Sequence, residues 1–104
     1  MIDLCAHGDV PDGGAIRIAP DGERESLVVV REGETIAAYV NRCPHFRIPL
    51  DVGRGITTFR NHVLCANHYA AFRFADGLCV EGPCLGASLE RVAIAVDGDR
   101  IGLA

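Results

Sequence analysis

The sequence predicts an all-β domain, and three observations support this fold class. Two apolar runs of about six residues, rich in β-branched side chains, follow one another across a short turn that contains glycine, which is typical of a β-hairpin. Near the C-terminus, apolar and charged residues alternate, as they do in half-buried strands. No stretch carries an apolar stripe at helical spacing over a useful length.

Five strands are predicted, and the turns between them are rich in glycine, proline and acidic residues. The strands cover Ala15–Ala19, Ser26–Arg31, Thr35–Val40, Leu89–Val96 and Arg100–Leu103. The turns are Pro20-Asp21-Gly22, Glu32-Gly33-Glu34 and Asp97-Gly98-Asp99. The second and third strands should pair as a hairpin, and the set should form a base of antiparallel strands.

Length and composition indicate one packed domain over residues 1–104, since 49% of the residues are hydrophobic. The mild net charge of −4 argues against a nucleic-acid partner, which usually requires a basic face. No apolar run reaches the length of a membrane span. The N-terminal residues lack a basic region before an apolar core and lack a twin-arginine signal, so a cytoplasmic location is expected.

Two Cys/His pairs lie in the middle of the chain. The first is Cys43-Pro44-His45, and the second is Cys65-Ala66-Asn67-His68. Each pair offers one thiolate and one imidazole, and together they can form a four-ligand metal site. Five cysteines is a high count for this length, and in a cytoplasmic chain it favours metal binding over disulfides.

These motifs resemble the signature of the Rieske family, and the likeness extends over Tyr39–Leu50, Phe72–Gly77 and the Gly82-Pro83 turn. The resemblance implies an antiparallel β-sandwich base with a smaller cluster-binding subdomain inserted at approximately residues 43–85. It also implies one [2Fe–2S] cluster per chain, with one iron on two cysteines and the other on two histidines. The implied ligands are Cys43 and Cys65 on one iron and His45 and His68 on the other. A structural zinc site with the same four ligands is the alternative.

The ligand set and its surroundings predict where the reduction potential lies. Two ferric irons, two sulfides and two thiolates sum to a neutral core, which accepts an electron more readily than a dianionic core with four cysteines does. In high-potential members of the family, a disulfide stands at the positions of Ile48 and Asn67, and serine and tyrosine hydroxyls stand at those of Ala70 and Phe72. Without those donors we expect a low potential within the family range of about −150 to +300 mV.

A third loop and an exposed rim are also expected around the cluster. Gly82-Pro83 resembles the proline loop that shields the cluster in this family. Tyr69 stands where the family very often has glycine, so we expect it to avoid a positive φ. Phe46, Tyr69 and Pro83 should form an apolar rim that suits brief docking.

The remaining cysteines and histidines have plainer interpretations. Cys79 and Cys84 are either free thiols or a small-loop disulfide, with a metal-binding role a further alternative, and free thiols are favoured in the cytoplasm. Cys5 is predicted to be a core residue. Surface positions are predicted for both His7 and His62.

The predicted function is electron transfer without catalysis. We find no nucleophile, no catalytic pair of carboxylates and no nucleotide-binding fingerprint, and the chain is too short for a mononuclear iron domain. The resemblance implies a soluble ferredoxin that passes single electrons from a reductase to a terminal oxygenase of the ring-hydroxylating dioxygenase kind. The alternatives are a small Rieske subunit of a larger oxidoreductase, such as a nitrite-reductase-like enzyme, and a cluster-based sensing module.

Overall fold

The computed structural model describes residues 2–19, 25–44, 47–51, 55–67 and 69–104. These residues form eleven strands, arranged in three antiparallel sheets, and one short 3₁₀ helix. The all-β prediction is therefore confirmed. Across the described ranges, no helix has the length and hydropathy to span a membrane.

The strands follow one another closely along the chain. They are β1 (Ile2–Ala6), β2 (Ala15–Ile18), β3 (Leu27–Glu32), β4 (Thr35–Val40), β5 (Thr57–Phe59), β6 (His62–Leu64), β7 (Ala71–Arg73), β8 (Cys79–Glu81), β9 (Arg91–Val92), β10 (Ile94–Asp97) and β11 (Arg100–Leu103). The 3₁₀ helix covers His7–Asp9.

The central sheet has the order β2-β3-β4-β9. The predicted hairpin of β3 and β4 is confirmed, with Val28 opposite Tyr39 and Val29 opposite Ala38. Its turn depends on Gly33, which has a φ of +62°. The predicted turn Pro20-Asp21-Gly22 lies outside the described residues.

Both faces of the central sheet are buried, which explains its unbroken apolar run. Successive side chains of a strand point to opposite faces. Val29 and Ala38 pack on one face with Cys5 of β1 and Ile101 of β11. Val28, Val30, Ala37 and Tyr39 pack on the other face, against the segment that carries the Cys/His pairs. Cys5 is 5% exposed, so its predicted place in the core is confirmed.

The second sheet has the order β1-β11-β10 and packs against the central sheet, which completes the sandwich. Sequence reasoning missed β1. The prediction of one strand over Leu89–Val96 is wrong, because the chain changes sheets at Ala93. Arg91–Val92 pairs with β4, whereas Ile94–Asp97 pairs with β11. Alternation of side chains continues through the change, so the sequence pattern alone does not reveal it.

The third sheet, β5-β6-β7-β8, is built from four strands of three residues each. Tyr39 joins it to the central sheet, because its buried hydroxyl donates a hydrogen bond of 2.6 Å to the carbonyl of Phe74. Gly77 packs on the same ring, where an added Cβ would lie 2.8 Å from Tyr39 Cε1. The third sheet is therefore held firmly on the sandwich.

Candidate metal centre

The two cysteines of the Cys/His pairs begin loops of the same local geometry. In the first loop the amide of Arg47 donates to the carbonyl of Cys43 at 2.6 Å, and in the second the amide of Tyr69 donates to that of Cys65 at 2.7 Å. Arg47 and Tyr69 both have a φ of +58°. Each loop therefore starts at a cysteine and closes four residues later in the left-handed region.

The expectation that Tyr69 avoids a positive φ is wrong. The residue keeps the left-handed conformation, at a cost of roughly 1–2 kcal/mol for a residue with a Cβ. The hydrogen bond to Cys65 fixes its backbone, and its ring is 82% exposed, so the side chain adds no crowding. The loop therefore keeps its left-handed geometry with tyrosine, rather than glycine, at position 69.

Backbone and side-chain hydrogen bonds join the two loops. The amide of Ala66 donates to the carbonyl of Leu50 at 2.9 Å, and Nδ2 of Asn67 donates to the carbonyl of Pro49 at 3.0 Å. Asn67 is one of the two positions at which the resemblance implies a disulfide in high-potential relatives. Here its amide group links the loops instead.

Asn41 anchors the first loop to the sandwich, and sequence reasoning missed it. Its side chain is 3% exposed. Its Oδ1 accepts from the amide of Leu50 at 2.8 Å, and its Nδ2 donates to Asp51 at 2.9 Å and to Ser26 at 3.1 Å. The available signal was a polar residue placed directly after the buried strand β4.

Four cysteines share the core next to these loops. Cys43 and Cys65 are completely buried, and Cys79 and Cys84 are nearly so. Cys79 and Cys84 are both thiols, so the disulfide alternative does not occur in this structure. The Cys79 thiol donates to the carbonyl of Glu81 at 3.2 Å.

The sulfur of Cys84 lies 3.7 Å from that of Cys43. Burial, together with the hydrogen bond between these two sulfurs, raises the pKa of the Cys84 thiol to about 12.

The third loop packs closely against the second. Gly82 has a φ of +98°, and an added Cβ would lie 2.8 Å from the Cα of Ala70. Ala70 and Phe72 are completely buried and carry no hydroxyl. Pro83 is exposed beside Gly82.

Each of the three loops also exposes an apolar side chain. Tyr69 of the second loop is 82% exposed, Leu85 of the third is 70% exposed and Ile48 of the first is 38% exposed. Tyr69 and Pro83 of the predicted rim are exposed, whereas Phe46 lies outside the described residues. Sequence reasoning missed Ile48 and Leu85.

Two histidines outside the pairs differ from their predicted surface positions. His7 and His62 are both half-buried. Nδ1 of His62 lies 2.7 Å from the carbonyl of Arg60. Nε2 of His7 is buried, without a hydrogen-bond partner among the described residues.

His45 and His68 lie outside the described residues, so the structure shows the positions of only the two cysteines of the predicted ligand set, and the set itself stays a prediction. In the described part of the chain, no three His, Cys, Asp or Glu side chains converge as ligands. The positions of Cys43 and Cys65 suit a metal that prefers thiolate ligands. Both sulfurs are buried in one core, on loops of matching geometry that are joined by hydrogen bonds, and a third loop packs beside them.

Comparisons with known proteins agree with this geometry. The family model for the Rieske [2Fe-2S] domain matches residues 1–95. A chain in the complex of reduced oxygenase and oxidized ferredoxin of carbazole 1,9a-dioxygenase is 25% identical, with a TM-score of 0.80 over 99% of this chain and 91% of that chain.

Two solved ferredoxins have the same fold at lower identity. The ferredoxin of carbazole 1,9a-dioxygenase from Nocardioides aromaticivorans IC177 is 24% identical, with a TM-score of 0.77 over 99% of this chain and 95% of that one. The ferredoxin of Sphingomonas yanoikuyae B1 is 19% identical, with a TM-score of 0.79 over 98% and 95%. A search of curated proteins found no match.

Proposed function

Because the chain belongs to the Rieske [2Fe-2S] domain family, we propose that it is a one-electron carrier that links a reductase to a terminal oxygenase of the ring-hydroxylating dioxygenase kind. The observation that carries the proposal is the site itself. Two matching loops hold buried cysteines in one core, and the surrounding loops expose apolar side chains. In this proposal the chain only carries the electron, and the chemistry on the substrate belongs to the oxygenase.

The proposed ligands are Cys43 and Cys65 for one iron and His45 and His68 for the other. When bound, a [2Fe–2S] cluster with this ligand set accepts and releases one electron. Complete burial keeps water away from the two cysteine sulfurs, and the hydrogen bonds between the loops keep those sulfurs in place. The zinc alternative is disfavoured, because the family match is to an iron–sulfur domain.

The proposed docking surface consists of Ile48, Tyr69, Pro83 and Leu85. An exposed apolar group of this size suits a transient interface, in which a partner approaches the cluster closely and then leaves. An oxygenase as the acceptor is supported by the similarity to a structure described as an oxygenase–ferredoxin complex. A cytoplasmic location is part of the proposal.

The ligand assignment is tested by loading the protein with iron and sulfide under anaerobic conditions. We expect about two irons and two acid-labile sulfides per chain, with an EPR signal on reduction. His45→Ala and His68→Ala should lose the cluster, whereas the matched control His62→Ala should keep it. A colourless protein without acid-labile sulfide, or a cluster that is unchanged in both histidine variants, would refute the assignment.

The carrier role is tested by mixing the reduced protein with a ring-hydroxylating oxygenase in a stopped-flow experiment. Tyr69→Ala should lower the second-order rate of electron transfer by roughly 5- to 30-fold, the effect of about 1–2 kcal/mol at a docking residue. Val96→Ala is the control, because Val96 is 54% exposed on β10, outside the three loops. Equal rates in the two variants would contradict the proposed docking surface.

A further inference from the structure

The geometry points to Cys84 as a hydrogen-bond donor to the sulfur of Cys43, and so to a non-ligand thiol that raises the reduction potential of the cluster. This inference rests on the proposed function, since it requires Cys43 to bind iron. It concerns a residue in the third loop, outside the four proposed ligands.

The position of Cys84 is set by its backbone. Its sulfur lies 3.7 Å from that of Cys43, within hydrogen-bonding range for two sulfurs. The third loop is fixed by the close contact of Gly82 with Ala70 and by a turn in which the amide of Ala87 donates to the carbonyl of Cys84 at 2.8 Å. Cys84 is 6% exposed and Cys43 is fully buried, so water does not compete for the contact.

The direction of the hydrogen bond follows from the chemistry of the ligand. A cysteine that binds iron does so as a thiolate, which accepts but has no proton to donate. Cys84 must therefore be the donor. The sulfur of Cys79 also interacts with Cys84, but Cys79 is not a proposed iron ligand, and it donates its own hydrogen bond to the carbonyl of Glu81 at 3.2 Å. A charged acceptor makes the stronger hydrogen bond, so Cys43 is preferred.

A donor to a ligand sulfur favours the reduced state. Reduction adds negative charge to the cluster and its thiolates, so a hydrogen bond to Cys43 strengthens and the potential rises. Ala70 and Phe72 stand where high-potential members of the family have hydroxyl groups, and their own side chains contribute no hydrogen-bond donor. Nδ2 of Asn67 lies 4.0 Å from the sulfur of Cys65, but it also donates to the carbonyl of Pro49. Cys84 is thus the better-placed side-chain donor in the described part of the site.

The first test compares midpoint potentials of the loaded protein by film voltammetry at pH 7. Cys84→Ala should keep its iron and sulfide content and shift the midpoint downward. Cys84→Ser should lie above Cys84→Ala, since its hydroxyl restores a donor. Cys5→Ala removes a buried thiol from the other core and should leave the potential unchanged. Equal midpoints in Cys84→Ala and wild type, or in Cys84→Ala and Cys84→Ser, would overturn the inference.

The second test uses the wild-type protein, so it does not depend on the folding of a variant. In a redox-difference infrared spectrum, an S–H stretching band should move to lower frequency on reduction, because the thiol then faces a more negative acceptor. The same band should persist in Cys5→Ala. A spectrum without any redox-dependent S–H band would overturn the inference, as would loss of the cluster in both Cys84 variants, which would make Cys84 a ligand. Failure of the wild-type protein to form a cluster would instead refute the proposed function.

Discussion

Replacing Gly82 with alanine tests whether the third loop is held against the second by direct contact. The added Cβ would lie 2.8 Å from Cα and 3.2 Å from Cβ of Ala70, whereas carbon atoms pack best at about 3.5–4.0 Å. The opposing atom belongs to the backbone, so it cannot rotate away. Gly86 is the matched control, because its φ is +88° and its added Cβ would meet nothing within 4 Å.

The expected magnitude follows from the two terms that alanine introduces. A left-handed conformation costs roughly 1–2 kcal/mol for a residue with a Cβ, and this cost is common to both variants. Overpacking costs a further 1–3 kcal/mol or so and applies only to Gly82→Ala. In a domain of this size, each kcal/mol lowers the melting temperature by about 4–8 °C. Gly82→Ala should therefore melt roughly 10 °C below Gly86→Ala.

The assay is thermal unfolding of the loaded proteins, followed by the visible absorbance of the cluster at one fixed scan rate, since such unfolding is commonly irreversible. Gly82→Ala should also lose its cluster faster than Gly86→Ala at a constant temperature. Identical melting temperatures and cluster lifetimes in the two variants would show that the contact with Ala70 does not support the site.

Four further outcomes are expected. Asn41→Ala should lower the free energy of unfolding in urea by about 1–3 kcal/mol, because the buried amide of Leu50 loses its acceptor; an unchanged midpoint would contradict this. Tyr39→Phe should cost about 1 kcal/mol through the lost bond to Phe74. Burial raises the pKa of Tyr39, so wild-type stability should fall as the pH rises above about 10, the ordinary tyrosine value. Tyr39→Phe should show a smaller fall in urea unfolding curves recorded between pH 8 and 11. Tyr69→Gly should leave the melting temperature equal or higher. Glycine relieves about 1–2 kcal/mol of left-handed strain in the folded state, whereas the greater freedom of glycine in the unfolded chain costs roughly 0.5–1 kcal/mol of stability. The midpoint potential should be low for the family, and a value above about +100 mV would contradict this expectation.

The sequence by itself determined the fold class, the β3–β4 hairpin and the last strand. Alternation and turn residues are local signals, and they act over the same few residues that each strand contains. The Cys/His spacing and its flanking residues were also sufficient to indicate the family. Thr35–Val40 and Arg100–Leu103 have the predicted boundaries, because each is bounded by a turn that contains glycine.

Only the tertiary structure decided how distant segments meet. The change of sheet at Ala93 depends on which strands lie beside the chain, and alternation continues through it unaltered. The contact between Cys43 and Cys84 joins residues 41 positions apart, and Asn41 acquires its role only when the amide of Leu50 comes within its reach. Local sequence patterns report which face of a strand is apolar, but the partners of a thiol or an amide are set by packing between elements, which no short stretch of sequence contains.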